Sequence, residues 1–175
     1  MSIYIGIDPG LSGAIAVITP YGQLPDLFDT PTTVTIKKLT KSKTKTIRGY
    51  DTQEMVSIIR HIVRVWDSDK KYFFIEKVHA MPTQGVVSMF NMGYGYGVWH
   101  GILASFGVFP EKVEPRAWKK EFGLLKTDKD ASRLKAIELF PELESQLKRK
   151  KDVDRADALL IALYGKIISE RKDTE

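Results

Sequence analysis

Short apolar runs separated by polar breaks predict an α/β arrangement for this chain. Ile3-Tyr4-Ile5-Gly6-Ile7 reads as a buried strand and Ser12-Gly13-Ala14-Ile15-Ala16-Val17-Ile18 as a second. Asp8-Pro9-Gly10 between them has turn chemistry, so the pair is expected to be antiparallel. Tyr21-Gly22 then turns the chain into a third strand over about 23 to 28, a meander within the first thirty residues. Asp51 and Glu54 have the spacing of a helix start, and Met55, Ile58, Ile59, Ile62, Val63 and Trp66 continue it at helical spacing. The strand Tyr72-Phe73-Phe74-Ile75 follows and ends at Glu76, which predicts a crossover onto the same sheet.

Residues 83 to 106 read as a helix carrying Phe90, Tyr94, Val98, Trp99, Ile102 and Phe106. Gly93, Gly97 and Gly101 recur in it every fourth position, at a cost of roughly 1 kcal/mol each in a soluble helix. Such a stripe is expected to let another backbone approach, either the sheet or a second subunit. Phe109 to Glu114 supplies one more strand, and Pro115-Arg116-Ala117-Trp118-Lys119-Lys120 starts a short helix. Thr127-Asp128-Lys129-Asp130 resembles a capped start leading into Leu134, Ile137, Leu139 and Phe140. A last helix carries Ala158-Leu159-Leu160-Ile161-Ala162-Leu163, and the charged tail after about 169 is expected to fray. With no repeat and no linker, 175 residues read as one domain, 1–175.

The segment from Pro31 to Arg48 breaks the pattern: it is polar and basic, an extended hairpin or flexible loop with its cations over about 37–48. Its lysines are read mainly as solvated charges and secondarily as a DNA-touching arm. The whole chain is basic as well, with a net charge of +5 and a pI near 9.3, which favours an anionic partner without naming one. Cysteine is absent, excluding disulfides and thiolate metal sites, and His61, His79 and His100 have no metal-binding spacing. Any metal must therefore be held mainly by oxygen, which points to magnesium or manganese over zinc. The N-terminus lacks a signal peptide's shape and no apolar run reaches the length of a membrane span, so a soluble protein working inside a cell, without a membrane partner, is expected.

Four acids stand where this arrangement could join them. Asp8 and Glu76 end strands expected to be central, while Asp154 and Asp157 open the last helix three residues apart, on one face with β-carbons about 5–6 Å apart. Taken singly, Asp8 is explained by its turn, Glu76 by an exposed strand end, and the helix pair by the dipole. Together they would repel one another, and two divalent ions would neutralise them and support phosphodiester cleavage.

The segments Ile5-Gly6-Ile7-Asp8-Pro9-Gly10, Phe74-Ile75-Glu76-Lys77-Val78 and Asp154-Arg155-Ala156-Asp157-Ala158-Leu159 resemble the RuvC family of Holliday junction resolvases, in order and spacing. The stretch from His79 to Phe90 looks closest to the bacteriophage and prophage branch. The resemblance implies an RNase H-like α/β fold, a mixed five-stranded sheet with helices on both sides. It further implies a homodimer that nicks opposing strands of a four-way DNA junction, in the cytoplasm of a bacterial or phage-infected cell. By motif position Asp8, Glu76, Asp154 and Asp157 carry the catalytic and magnesium-binding roles, two ions per site with manganese as substitute; Asp152 is a further acid nearby and a less favoured ligand, one that would displace Asp154 from the set. Where the family inserts into the junction, this chain offers His79, Met81 and Gln84 in place of an aromatic wedge; Met81 reads more readily as a core or dimer residue. Lys119 matches a phosphate-contacting lysine, Arg116 precedes it, and Lys126 and Lys129 compete for a second such role. The family dimerises through the helix after the Glu76 strand, where the glycine stripe lies.

Alternatives are a broader branched-DNA nuclease of the same family, a non-catalytic junction-binding module, or a phosphotransferase of the actin and sugar-kinase type. The last needs a second domain and a second glycine-rich phosphate loop, which this sequence does not offer.

Overall fold

A computed structural model describes residues 2–20, 23–38, 40, 44–65, 70–80 and 84–172. The turn at Tyr21-Gly22, the helical continuation to Trp66, Met81, and Lys41 and Lys43 of the basic segment lie outside the described residues.

The five-stranded sheet has the order β3-β2-β1-β6-β7. Its strands are β1 (Ser2–Asp8), β2 (Ala14–Ile18), β3 (Asp26–Asp29), β6 (Lys70–Glu76) and β7 (Glu111–Val113). β1, β2 and β3 form the expected antiparallel meander, while β6 lies parallel to β1 and β7 parallel to β6, so the sheet is mixed. The third strand is shorter and later than its apolar letters imply, because only 26–29 reach β2 across the register Ala14↔Asp29 to Val17↔Asp26.

Alternation along β1 feeds two cores. Ile3, Ile5 and Ile7 point into one with Met55, Ile59 and Ile62 of α1 (Thr52–Val65) and with Trp99 and Leu103 of α2 (Val86–Ser105). Tyr4 faces the other, built from Phe74, Trp118 of α3 (Pro115–Glu121), Ala136 of α4 (Ala131–Leu139) and the run Ala156–Ala162 of α5 (Val153–Lys172). Helices thus cover both faces of the sheet. Among the described residues, no helix is long and apolar enough to cross a membrane.

Three expectations are corrected. The helix read from 83 begins at Val86, with Gly85 extended before it. The charged end of the chain does not fray at 169: α5 continues to Lys172, with Arg171 donating to Glu121 at 2.7 Å and Ser169 bonding back to the Gly165 carbonyl at 2.8 Å. Asp130 turns its carboxylate to Arg133 (2.6 and 2.7 Å) and makes no side-chain cap, leaving Asp128 to accept the Asp130 amide at 2.8 Å. The cap on α1 is as expected, since Asp51 Oδ1 accepts the Glu54 amide at 3.1 Å.

The basic segment is a ribbon, β4 (Thr32–Lys38) paired antiparallel with β5 (Thr44–Tyr50) and separate from the main sheet. Tyr50 at its base anchors it, the hydroxyl donating to the Pro9 carbonyl at 3.2 Å while the ring covers Gly95 so closely that a β-carbon there would overlap it.

Candidate active site

The position of the acids follows from one close approach. A β-carbon on Gly6 would overlap the Ala158 carbonyl oxygen and the Ala162 nitrogen, so β1 and α5 meet backbone to backbone there. With α5 pressed onto β1 at Gly6, its first turn stands over the strand's end, where Asp8 lies. Oxygen atoms of Asp8, Asp154 and Asp157 all fall within 4.8 Å of one another.

Each carboxylate is held. Asp8 Oδ1 accepts the Gly10 amide at 3.0 Å, closing the turn that Gly13 tightens by donating to the Gly10 carbonyl at 2.9 Å. Ser12 hydrogen-bonds Asp154, and Ser132 of α4 hydrogen-bonds Asp157. Glu76 accepts the indole N–H of the buried Trp118 at 2.8 Å. Glu76 is not among the three acids of the 4.8 Å group, although its charge still acts on Asp8 and Asp157. Lys119, whose ammonium lies 5.1 Å from the Trp118 ring centre, opposes the charges of Glu76 and Asp157.

The electrostatics are those of a site built to be charged and denied solvent. Burial first, and then the charges of Glu76, Asp154 and Asp157, push Asp8 up to about 8 against the pull of the Gly10 amide. Burial pushes Asp157 up to about 6 and raises Asp154 and Glu76 as well. Asp157 Oδ1 is buried without any hydrogen-bond partner. An orphaned oxygen among clustered carboxylates, with no sulfur and no imidazole, fits a hard divalent cation.

Asp154 and Asp157 open onto a cleft of about 490 Å³, lined also by Lys119, Thr127, Asp128 and Lys129. Lys126 is exposed, in a left-handed turn (φ 64), and is not among the lining residues. His79 and Gln84 line a separate hollow beyond Glu76 of about 430 Å³. His79 Nε2 lies 2.8 Å from Glu114, which also takes Lys77, and Gln84 donates to Ser88 at 3.2 Å. Arg116 is exposed on the first turn of α3 and lines neither hollow. Asp152 is not with the other acids: it is buried and engaged by Arg149 at 2.7 Å, which holds its pKa down, and it closes the turn before α5 by accepting the Arg149 amide at 2.8 Å.

Sequence reasoning missed the supporting residues. Ser12, read as the start of the second strand, lies in the turn before it, and Ser132 is one serine in a helix and carries no signal of its own. Arg155, given no role of its own in the sequence, ties α5 to β3 by donating to Asp29 at 2.5 and 2.7 Å.

No protein-family model matches the chain. Over 95 residues, 54% of this chain, it is 35% identical to the chloroplastic Holliday junction resolvase MOC1 of Chlamydomonas reinhardtii; the matched part is 11% of that relative's length. In three dimensions it resembles Thermus thermophilus RuvC in complex with a Holliday junction substrate, with 14% identity and a TM-score of 0.60 over 98% of this chain and 96% of that one. A second Thermus thermophilus RuvC structure gives 14% identity and a TM-score of 0.58 over 97% and 96%. The fold is that of RuvC, RNase H-like, as expected from the three sequence blocks.

Proposed function

We propose that this chain is a RuvC-type endonuclease that resolves four-way DNA junctions by metal-dependent hydrolysis, with Asp8, Glu76, Asp154 and Asp157 as its metal-binding and catalytic set. One observation carries the reading: oxygens of Asp8, Asp154 and Asp157 lie within 4.8 Å of one another, and Asp154 and Asp157 line a cleft that also carries Lys119 and Lys129.

Magnesium is the expected cation, with manganese able to replace it, because the donors are carboxylate oxygens alone. Bound there, a pair of such ions supplies an activated water and stabilises the leaving oxygen of a phosphodiester. The chain's own groups do the rest. Asp8, Asp154 and Asp157 supply the negative charge that gathers the ions, fixed by Gly10, Ser12 and Ser132. Trp118 orients Glu76 through its indole N–H. Lys119 and Lys129, on the cleft that Asp154 and Asp157 line, attract the phosphate backbone. Arg116, His79 and Gln84 lie outside that cleft and are assigned to contacts with the junction arms.

Two cuts on opposing strands require two sites related by symmetry. We assign α2 as the surface that pairs two copies, since Val86, Val87 and Phe90 are 77%, 74% and 71% exposed. Gly93, Gly97 and Gly101 leave open space where β-carbons would stand, so the alternative that the stripe admits the chain's own sheet is set aside. The bacterial or phage-infected cytoplasm is the place of action this reading implies.

The test is a strand-labelled synthetic four-way junction with magnesium, comparing the wild type with Asp8→Asn and with chelator. Paired nicks lost in both controls while gel-shift binding persists support the reading. Cutting that survives Asp8→Asn, or a wild type that binds branched DNA without ever nicking it, overturns it in favour of another site or a binding module. Three-way and flapped substrates in the same assay show whether four-way junctions are preferred over branched DNA in general.

A further inference from the structure

A second groove adjoins the carboxylate cleft on the side of Ser12 and Asp154. It has about 390 Å³ and shares Ser12, Val153 and Asp154 with the cleft, so the two are continuous. Arg48 of the ribbon, Thr30, and Lys151 just ahead of α5 also line it.

Its lining charges balance in number, Arg48, Arg149 and Lys151 against Asp29, Asp152 and Asp154, but they are not all paired with one another. The two acids away from the cleft are already engaged, Asp29 by both guanidinium nitrogens of Arg155 at 2.5 and 2.7 Å and Asp152 by Arg149 at 2.7 Å. Among the described residues neither Arg48 nor Lys151 has a carboxylate partner; Arg48 Nη2 donates only to the Thr32 hydroxyl, at 3.2 Å. Thr30 is 5% exposed, and its hydroxyl is buried with no hydrogen-bond partner. Two cations without a carboxylate partner suit the non-bridging oxygens of a phosphodiester. The surface stays positive beyond Arg48: residues 32–50 contain no acid, and Lys37 faces Lys45 across the ribbon, a like-charged pair that an anion would relieve.

We propose that this groove seats the phosphate neighbouring the scissile one on the same DNA strand. Arg48 and Lys151 are positioning residues that fix which phosphate reaches the acids. This rests on the nuclease reading and goes beyond it by giving the strand a second fixed point.

The experiment uses Arg48→Gln/Lys151→Gln in the full chain, with Arg48→Lys/Lys151→Arg as the charge-preserving control. Junction affinity is measured by anisotropy over a salt series, and cut positions are mapped on sequencing gels under single-turnover conditions. Neutral methylphosphonates are placed singly at the two phosphates on either side of the cut. The neutral variant should bind about tenfold more weakly and show a shallower salt slope by about one. It should spread its cuts over neighbouring phosphates, while the charge-preserving control keeps the wild-type positions. One methylphosphonate should weaken the wild type by the same factor and leave the neutral variant unaffected. Unchanged cut positions and salt slope in the neutral variant, or equal sensitivity of both proteins to all four methylphosphonates, overturns the seat while leaving the nuclease intact. A wild type that cuts no branched DNA fails the nuclease reading itself, and the seat with it.

Discussion

The acid cluster sets a cost that can be measured without any DNA. In the metal-free protein the Asp8 carboxyl rises from 3.8 to about 8, so the native state keeps a proton that the unfolded chain has already released. Stability should therefore be greatest near pH 4, fall as pH rises through the range between those two values, and level off above about 8. That span of about four pH units, at about 1.4 kcal/mol each, amounts to roughly 6 kcal/mol from Asp8 at most. Asp157, raised to about 6, loses stability over a narrower range, and its repulsion with Asp8 is shared, so the two losses overlap and do not add. Set against the 5–15 kcal/mol that folds a typical domain, this is a large fraction.

Asp8→Asn isolates the charge, because asparagine keeps an oxygen to accept the Gly10 amide. In chelator at pH 8.5 the variant should be about 3–6 kcal/mol more stable than the wild type, with the lower figure expected where water screens the open side of the cleft. At pH 4 the two should agree within about 0.5 kcal/mol. Guanidinium unfolding at both pH values, followed by circular dichroism, gives the comparison. Millimolar magnesium at pH 8.5 should narrow the gap by stabilising the wild type, and should do little at pH 4, where protons occupy the oxygens. An asparagine variant no more stable than the wild type at pH 8.5 would falsify the claim that these acids repel one another in a desolvated site.

Other changes probe the scaffold around that site. Gly6→Ala drives a methyl group into the α5 backbone and should cost about 3 kcal/mol or more, seen as a fall of many degrees in thermal unfolding; a fall of under two degrees contradicts the close contact. Trp118→Phe removes the donor to Glu76 and should raise that carboxyl further, so its pH–rate profile on junction DNA should move to higher pH with maximal cutting reduced about tenfold. An unmoved profile means that the indole only fills space. Phe90→Asp, at a position 71% exposed, should leave the melting temperature of a monomer unchanged while converting dimers to monomers by light scattering; a dimer that persists places the pairing surface elsewhere.

How far the letters could be read depended on whether a feature was periodic or depended on distant contact. Two-faced burial of β1 and β6 and the helical stripe of α1 show in the apolar spacing, and strand ends then placed Asp8 and Glu76. The glycines divided. Gly6, an unremarked member of an apolar run, is the position that admits α5, while the regular Gly93/Gly97/Gly101 stripe meets nothing within 4 Å among the described residues. Spacing marks a surface, but only the partner's position tells which surface is used. The tail was misjudged for a related reason: its charges promised solvent, yet Glu121 and Glu111, on α3 and β7, receive Arg171 and Lys172 and carry the helix on.

The same distinction explains why the four acids differ in how they are held. Asp154 and Asp157 share a helix face by spacing alone, and Asp8 needs only its own turn. Glu76 is held by a tryptophan 42 residues downstream and stands outside the group that the other three form. A carboxylate on a separate strand, tethered through one indole, can swing toward incoming charge by breaking a single hydrogen bond, while the other three, bound to Gly10, Ser12 and Ser132, form the fixed part of the site. Cation binding should therefore reach Trp118 as a change in its environment, and the intrinsic fluorescence of the protein should respond to magnesium in the wild type but not in Glu76→Gln. Equal responses in both proteins would show that Glu76 stays on the indole when the ions bind.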